Sequence, residues 1–285
     1  MPSNSSISHA ADAGTGLFVV DLGRAYGSAI LFSFPILMTM EMWWQGFSMS
    51  ATRLLIFTLV VIPLLLGLSY YDGFEDTFSF IDDVRETLIA YFVGITATAL
   101  MLYLFGVLKP EMSWDERIGK ISVQAITASL GAMFAQSLLG GEEDAGEAGK
   151  RKRKATYLGQ LFLTVVGALF LSMSVAPTEE MILIAFQMNH WHTLALIVAT
   201  LFVMHAFINA AELRGEAAGD STDTGQVSLF VRYTVVGYAV VLAVSYYVLW
   251  TFGSLAGMEF PEQLETVIVL GFPAGLGGSA SRLIL

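Results

Sequence analysis

Val84-Arg85-x-Thr87-x3-Tyr91-x-Val93 returns as Val231-Arg232-x-Thr234-x3-Tyr238-x-Val240, and Leu102-x2-Phe105-Gly106 returns as Leu249-x2-Phe252-Gly253. Across 84–106 and 231–253, eight of 23 positions are identical at a constant offset of 147, where about two are expected by chance in so apolar a chain. Both copies are apolar runs of the length that crosses a bilayer as a helix. The duplication continues on either side. At offset 146, Ala128, Leu130, Gly131 and Leu139 match Ala274, Leu276, Gly277 and Leu285; at offset 139, Ala29, Ser33, Thr39, Glu41 and Met42 match Ala168, Ser172, Thr178, Glu180 and Met181.

The composition agrees with a membrane protein. Of 285 residues, 55% are apolar and 14% charged, with a mean hydropathy of +0.66, outside the range of soluble domains. Apolar blocks near 24–46, 53–71, 87–108, 119–139, 161–187, 192–211, 229–253 and 264–285 predict about eight transmembrane helices. Pro177, Glu179 and Glu180 interrupt the fifth, and the eighth is rich in glycine, with a break at Gly271-Phe272-Pro273 as one way of exposing backbone carbonyls. The expected fold is therefore an all-α polytopic bundle of two parallel four-helix repeats. Residues 1–139 form the first repeat with a polar tail at 1–16, 140–155 a charged cytoplasmic linker, and 156–285 the second repeat. An even number of spans per repeat gives both the same orientation, related by a pseudo-two-fold axis along the membrane normal.

Basic residues set the direction. With Lys150-Arg151-Lys152-Arg153-Lys154 in the cytoplasm, both termini are cytoplasmic and ten of the 14 Lys and Arg lie inside. This places the chain in the plasma or inner membrane as a multi-pass protein. The first residues lack a basic n-region and the first span exceeds a signal-peptide core, so no cleavage is expected. The net charge of −11 sits in acidic segments at Asp72 to Glu86, Glu142 to Glu147 and Glu259 to Glu265, which argues against a nucleic-acid partner. With no cysteine there is no disulfide, thiolate nucleophile or Cys metal site. No cofactor is expected; the bilayer is the partner, with a cation or proton as the candidate substrate.

Glu41 and Glu180 are the residues that least belong in lipid. Each lies in a Thr-x-Glu-Met pattern near a proline, Pro35 or Pro177, and an intramembrane carboxylate is costly unless paired, protonated or facing water. A proline frees a nearby carbonyl. With Thr39 or Thr178 and the adjacent Glu179, such groups supply hard oxygen ligands for a cation. The competing reading places both acids, solvated, at the headgroup boundary beside Trp43 and Trp44. Secondary polar candidates are His190 within Asn189-His190-Trp191-His192, and His205 with Asn209 one turn on. Alternate residues on a helix diverge, so the two imidazoles of His-x-His make a weak metal pair, and any metal is left open.

Pro35-x3-Thr39-Met40-Glu41-Met42-Trp43-Trp44 and Ala176-Pro177-Thr178-Glu179-Glu180 resemble the signatures of a bacterial family of multi-pass integral membrane proteins of unknown function. The likeness covers essentially the whole chain and carries no activity with it. Ala176-Pro177-Thr178-Glu179-Glu180, Phe186-x3-His190 and His205-x3-Asn209 also resemble the motifs of glutamate-dependent intramembrane proteases, which implies a water activated by glutamate and histidine. Ile184 stands where those enzymes carry arginine, and the three motifs fall within 34 residues. In outline, Arg24 followed by Thr39-x-Glu41 in a duplicated chain is similar to cation channels whose first helix in each half lines the pore, without their Phe-Ser-Asp signature. The leading expectation is a transporter or channel moving a cation or proton between two halves. A structural or regulatory membrane protein and a protease-like enzyme are the alternatives.

Overall fold

The computed structural model describes residues 4–72, 79–134, 156–213 and 230–284, with side chains over 19–71, 79–134, 156–209 and 230–281. The linker at 140–155, with its basic run, lies outside the described residues. Within them are ten α-helices and no strand: α1 Asn4–Leu37, α2 Met40–Ser48, α3 Ala51–Asp72, α4 Phe80–Leu104, α5 Trp114–Met133, α6 Tyr157–Val175, α7 Glu180–Gln187, α8 His190–Leu213, α9 Val236–Phe252 and α10 Phe260–Ile284. A π-helical turn at Phe230–Val235 leads into α9.

Six helices are long and apolar enough to span a bilayer: α3, α4, α6, α8, α9 with its π-helical entrance, and α10. Val19–Leu37 and α2 make a seventh candidate as a pair bent by 87°. The expected span at 24–46 is therefore an elbow, and the expected span at 161–187 divides into α6 and α7. Pro35 and Pro177 stand beside these breaks, each lacking the N–H that would continue the ladder. α5, in the expected span 119–139, fails the same apolarity test because Asp115, Glu116, Arg117, Lys120 and Gln124 fall within it. α10 is a single helix with Pro273 inside it, so the break considered at Gly271-Phe272-Pro273 does not occur.

The order of a long helix, a short helix and three long helices occurs twice. α5 packs against α1, α2, α3 and α4, and α10 packs against α6, α7, α8 and α9. Two buried helices, rich in small residues, thus each stand at the centre of a group of helices, within one continuous hydrophobic core. At Gly131 an added Cβ would lie 2.6 Å from Phe32 Cβ and 2.8 Å from the Ser28 carbonyl oxygen of α1. Gly277 approaches α6 in the same way, against the Gly167 carbonyl and 2.9 Å from Leu171 Cγ. α4 and α9 end alike, on Gly106 (φ 69°) and Gly253 (φ 80°). Each is a left-handed cap in which the next amide donates back to Leu102 or Leu249.

The two groups of helices meet through α1, α3 and α5 on one side and α6 and α9 on the other. Phe32 packs on Phe170, Phe57 on Tyr247 and Phe252, and Tyr71 on Phe162, with ring centroids 4.8–6.2 Å apart. The Arg53 guanidinium lies 5.5 Å over the Trp250 ring, a cation–π contact.

Because the Gly131 and Gly277 crossings leave no room for a side chain, Gly131→Val and Gly277→Val should each destabilise the fold by about 1–3 kcal/mol through overpacking. Gly237→Ala meets only Met204 Cε at 3.5 Å and should leave stability unchanged. Unfolding in detergent micelles reads all three.

Candidate functional site

Thr39, Glu41, Thr178, Glu179 and Glu180 lie at the two helix breaks. Thr39 caps α2 by backbone position only; its hydroxyl donates instead to the Ile36 carbonyl at 2.8 Å. Thr178 does the same to the Val175 carbonyl at 2.9 Å. The Trp43 indole N–H donates to the Leu37 carbonyl at 2.7 Å. The carbonyls freed at the breaks are thus taken up by side-chain donors. Glu41 is partly buried in the first turn of α2, whereas Glu179 and Glu180 are exposed at the start of α7. α2 packs on α5 and α7 on α10, so the structure does not bring Glu41 and Glu180 into one constellation.

Asn189-His190-Trp191-His192 is built as a helix cap. The Asn189 side-chain oxygen accepts from the amides of Trp191 and His192 at 3.0 and 3.1 Å, and His192 Nδ1 accepts from the Asn189 amide at 3.3 Å. His190 is fully exposed and lies 3.7 Å from Glu265. His205 sits fifteen residues further along α8, about 22 Å at 1.5 Å per residue. There its Nδ1 and Thr234 Oγ1 share a 3.1 Å hydrogen bond across to the π-helical turn, with Phe230 edge-on to the ring. Asn209 is exposed. His190 and His205 therefore do not converge with Glu179 and Glu180 on one pocket, which is what the protease-like arrangement requires. Among the described residues no group of three or more His, Asp or Glu could hold a metal ion.

The ionisable groups that the fold does bury are others. Asp83 and Glu86, which the sequence reading left in an acidic loop, belong to the first two turns of α4 and are both buried. Ser79 opens that helix with a capping box: its hydroxyl accepts from the Asp82 amide while the Asp82 carboxylate accepts from the Ser79 amide. This fixes the phase of the turn. Asp83, Glu86 and Thr87 then share one face at i, i+3 and i+4, turned toward Ser69 of α3. The Ser69 hydroxyl lies 3.3 Å from Asp83 Oδ1 and in closer contact with Glu86 Oε2. The positive end of the α4 dipole favours carboxylates at this position.

At the far end of the α4–α5 seam lie Lys120 and Gln124, also buried. Lys120 pairs with Glu116 at 2.7 Å, and Gln124 Nε2 donates to the Lys120 carbonyl at 3.2 Å. α2 crosses α5 here with Gly46 against Gly119. Between the two ends run Thr98 on α4 and Thr127 and Ser129 on α5, all buried. Thr87 Oγ1, Thr98 Oγ1 and Gln124 Oε1 have no hydrogen-bond partner. Midway, an added Cβ on Gly94 would lie 2.7 Å from the Ala125 carbonyl, so the helices touch there. Sequence reading missed this seam because Asp83 and Glu86 follow four acidic residues, Asp72, Glu75, Asp76 and Asp82, and read as part of a loop. The one available signal was Ser79-x2-Asp82, which starts the helix before them.

Ser69→Ala removes the hydroxyl that lies between two buried carboxyl groups, and should cost about 1–3 kcal/mol of stability as their desolvation goes uncompensated. Ser69→Thr keeps the hydroxyl and should retain most of it, as read by unfolding in micelles.

No curated protein and no solved structure matches the chain. A family model described as "Putative integral membrane protein (DUF2391)" matches residues 21–285. That span takes in both core helices, both helix breaks and the whole of the α4–α5 seam, and the chain belongs to this family of integral membrane proteins.

Proposed function

We propose that the protein is a transporter or channel for protons or cations, built by duplication, whose path follows the α4–α5 seam of the first half. One observation carries this reading. Among the described residues, every buried Asp, Glu, Lys and Gln side chain lies in the first half, Asp83 and Glu86 in the first turns of α4 beside Ser69 of α3, and Lys120 and Gln124 on α5. Among the described residues, the buried polar groups of the second half are hydroxyls alone, of serine, threonine and Tyr238. Burying ionisable groups among membrane helices is expensive and marks ion or proton pathways. Thr87 and Thr98 stand eleven residues apart on α4, about 17 Å, so the polar groups cover much of a bilayer core. The contact at Gly94 is the constriction that must open.

Duplication is supported by the matched details: the Thr39 and Thr178 hydroxyl bonds, the Gly106 and Gly253 caps, and the seating of Gly131 and Gly277 on α1 and α6. In this reading α1 with α2, α3, α4 and α5 correspond to α6 with α7, α8, α9 and α10. There are eight crossings, both termini are cytoplasmic, and Asp83 and Glu86 face the cytoplasmic end. Glu41, at the head of α2 over the other end of α5, serves as the outer entrance, with Thr39 beside it. Glu180, Thr178 and Glu179 hold the corresponding place over a seam without buried charge, so they contribute less.

Flux in proteoliposomes, driven by a pH gradient or by single monovalent or divalent cations, tests the assignment. Asp83→Asn and Glu86→Gln should each lower flux about tenfold or more, equivalent to about 1.4 kcal/mol on the barrier. Glu41→Gln should lower it less, and Glu180→Gln least. Wild-type flux in the Asp83→Asn/Glu86→Gln double variant would sink the pathway. No flux of any ion in the wild type would leave a structural or regulatory membrane protein as the reading.

A further inference from the structure

Between α1 and α4 lies a groove of about 610 Å³, with Leu22 and Tyr26 on one wall and Val84, Leu88 and Phe92 on the other. Leu88 and Phe92 are 64% and 62% exposed, so the groove opens outward from the bundle. Both walls belong to segments long and apolar enough to cross a bilayer, α4 and the Val19–Leu37 part of α1. Past Phe92 the Tyr26 hydroxyl bridges the two helices, sharing a 2.8 Å hydrogen bond with Thr96.

At the other end Arg85, exposed in the second turn of α4, is the one charged side chain that lines the groove among the described residues. The acids around it are turned to other partners. The Asp82 carboxylate accepts from the Ser79 amide and hydroxyl, while Asp83 and Glu86 are buried beside Ser69 of α3. Arg85 itself has no hydrogen bond, ion pair or ring contact with any described residue. Its match at offset 147, Arg232, is taken up within the chain. That guanidinium lies 4.9 Å over the Tyr157 ring, whose hydroxyl donates to the Arg232 carbonyl at 2.9 Å.

We propose that the groove binds an anionic phospholipid, with its phosphate on Arg85 and one acyl chain lying between α1 and α4 toward Phe92. An apolar cleft of this size with a single fixed polar group has the make-up of a ligand site. A basic group between membrane helices near their polar end selects an anionic headgroup. Seven residues separate Arg85 from Phe92, about 10 Å along the helix, within the roughly 15 Å of hydrocarbon in one leaflet. The proposal rests on the packing of α1 against α4 and not on what the protein moves, so flux measurements and lipid binding fail separately.

Native mass spectrometry of the full chain, released from micelles doped with phosphatidylglycerol or phosphatidylcholine, tests the site. The wild type should retain one phosphatidylglycerol about fivefold more tightly than phosphatidylcholine, the increment expected of one basic side chain at an anionic headgroup. Arg85→Gln should abolish that preference and Arg232→Gln should keep it. Leu88→Trp, which fills the groove, should release the lipid. All three positions are exposed, and unfolding in the same micelles should match the wild type. Equal retention of the two lipids by the wild type overturns the site. So does a preference that survives Arg85→Gln or Leu88→Trp, or one lost equally in Arg232→Gln.

Discussion

Close backbone contact at glycine, on the two buried core helices, is the constraint from which the rest of the arrangement follows. In a bilayer, lipid tails are as apolar as leucine, so helices associate through packing and hydrogen bonds rather than by escaping water. Gly131 against Ser28 and Phe32, and Gly277 against Gly167 and Leu171, bring α5 and α10 near enough to α1 and α6 for such packing to be extensive. Gly94 on α5 and Gly278 on Thr164 of α6 add further crossings. Asp83, Glu86, Lys120 and Gln124 are buried within this packing, Asp83 and Glu86 beside Ser69 of α3 and Lys120 beside Glu116 of its own helix.

The helix breaks show how unsatisfied backbone is handled in the same setting. An elbow of 87° between α1 and α2 exposes carbonyls that a bilayer cannot solvate. The Thr39 hydroxyl and the Trp43 indole take two of them, and the Thr178 hydroxyl takes the one after α6. These residues stabilise the elbow itself, whichever part Glu41 plays at its head. The first turn after each break carries a glutamate, where the helix dipole favours negative charge.

Much of the helix layout was legible in the sequence because apolar length and internal self-similarity are local properties. The match between 84–106 and 231–253 pointed to helices that do end on equivalent left-handed glycines. Three things were not legible. The elbow and the break after α6 fell inside apolar runs, where hydropathy stays high while the helix is interrupted. Asn189-His190-Trp191-His192 offered imidazoles, and only the hydrogen bonds to the Asn189 side chain reveal a cap. Burial of Asp83 and Glu86 depends on α3 and α4 lying side by side, with Ser69 fourteen residues before the first of them. A tertiary relation of that kind leaves no periodic trace, so the acids that looked most conspicuous in sequence, Glu41 and Glu180, are not the ones most deeply enclosed.

The polarity of α5 has a consequence for how the protein is made. A segment enters the bilayer from the insertion machinery by its own hydrophobicity, and charged residues near its centre oppose that entry. α5 carries Asp115, Glu116, Arg117, Lys120 and Gln124 and is not apolar enough to enter unaided, yet it ends as the most enclosed helix of its half. Its polar residues are accommodated by packing on α1, α2, α3 and α4 rather than by its own hydrophobicity. α10 is apolar enough to enter alone. α5 and α10 therefore differ in what entry into a bilayer asks of them: α10 carries its own hydrophobicity, while α5 relies on the helices that it packs against.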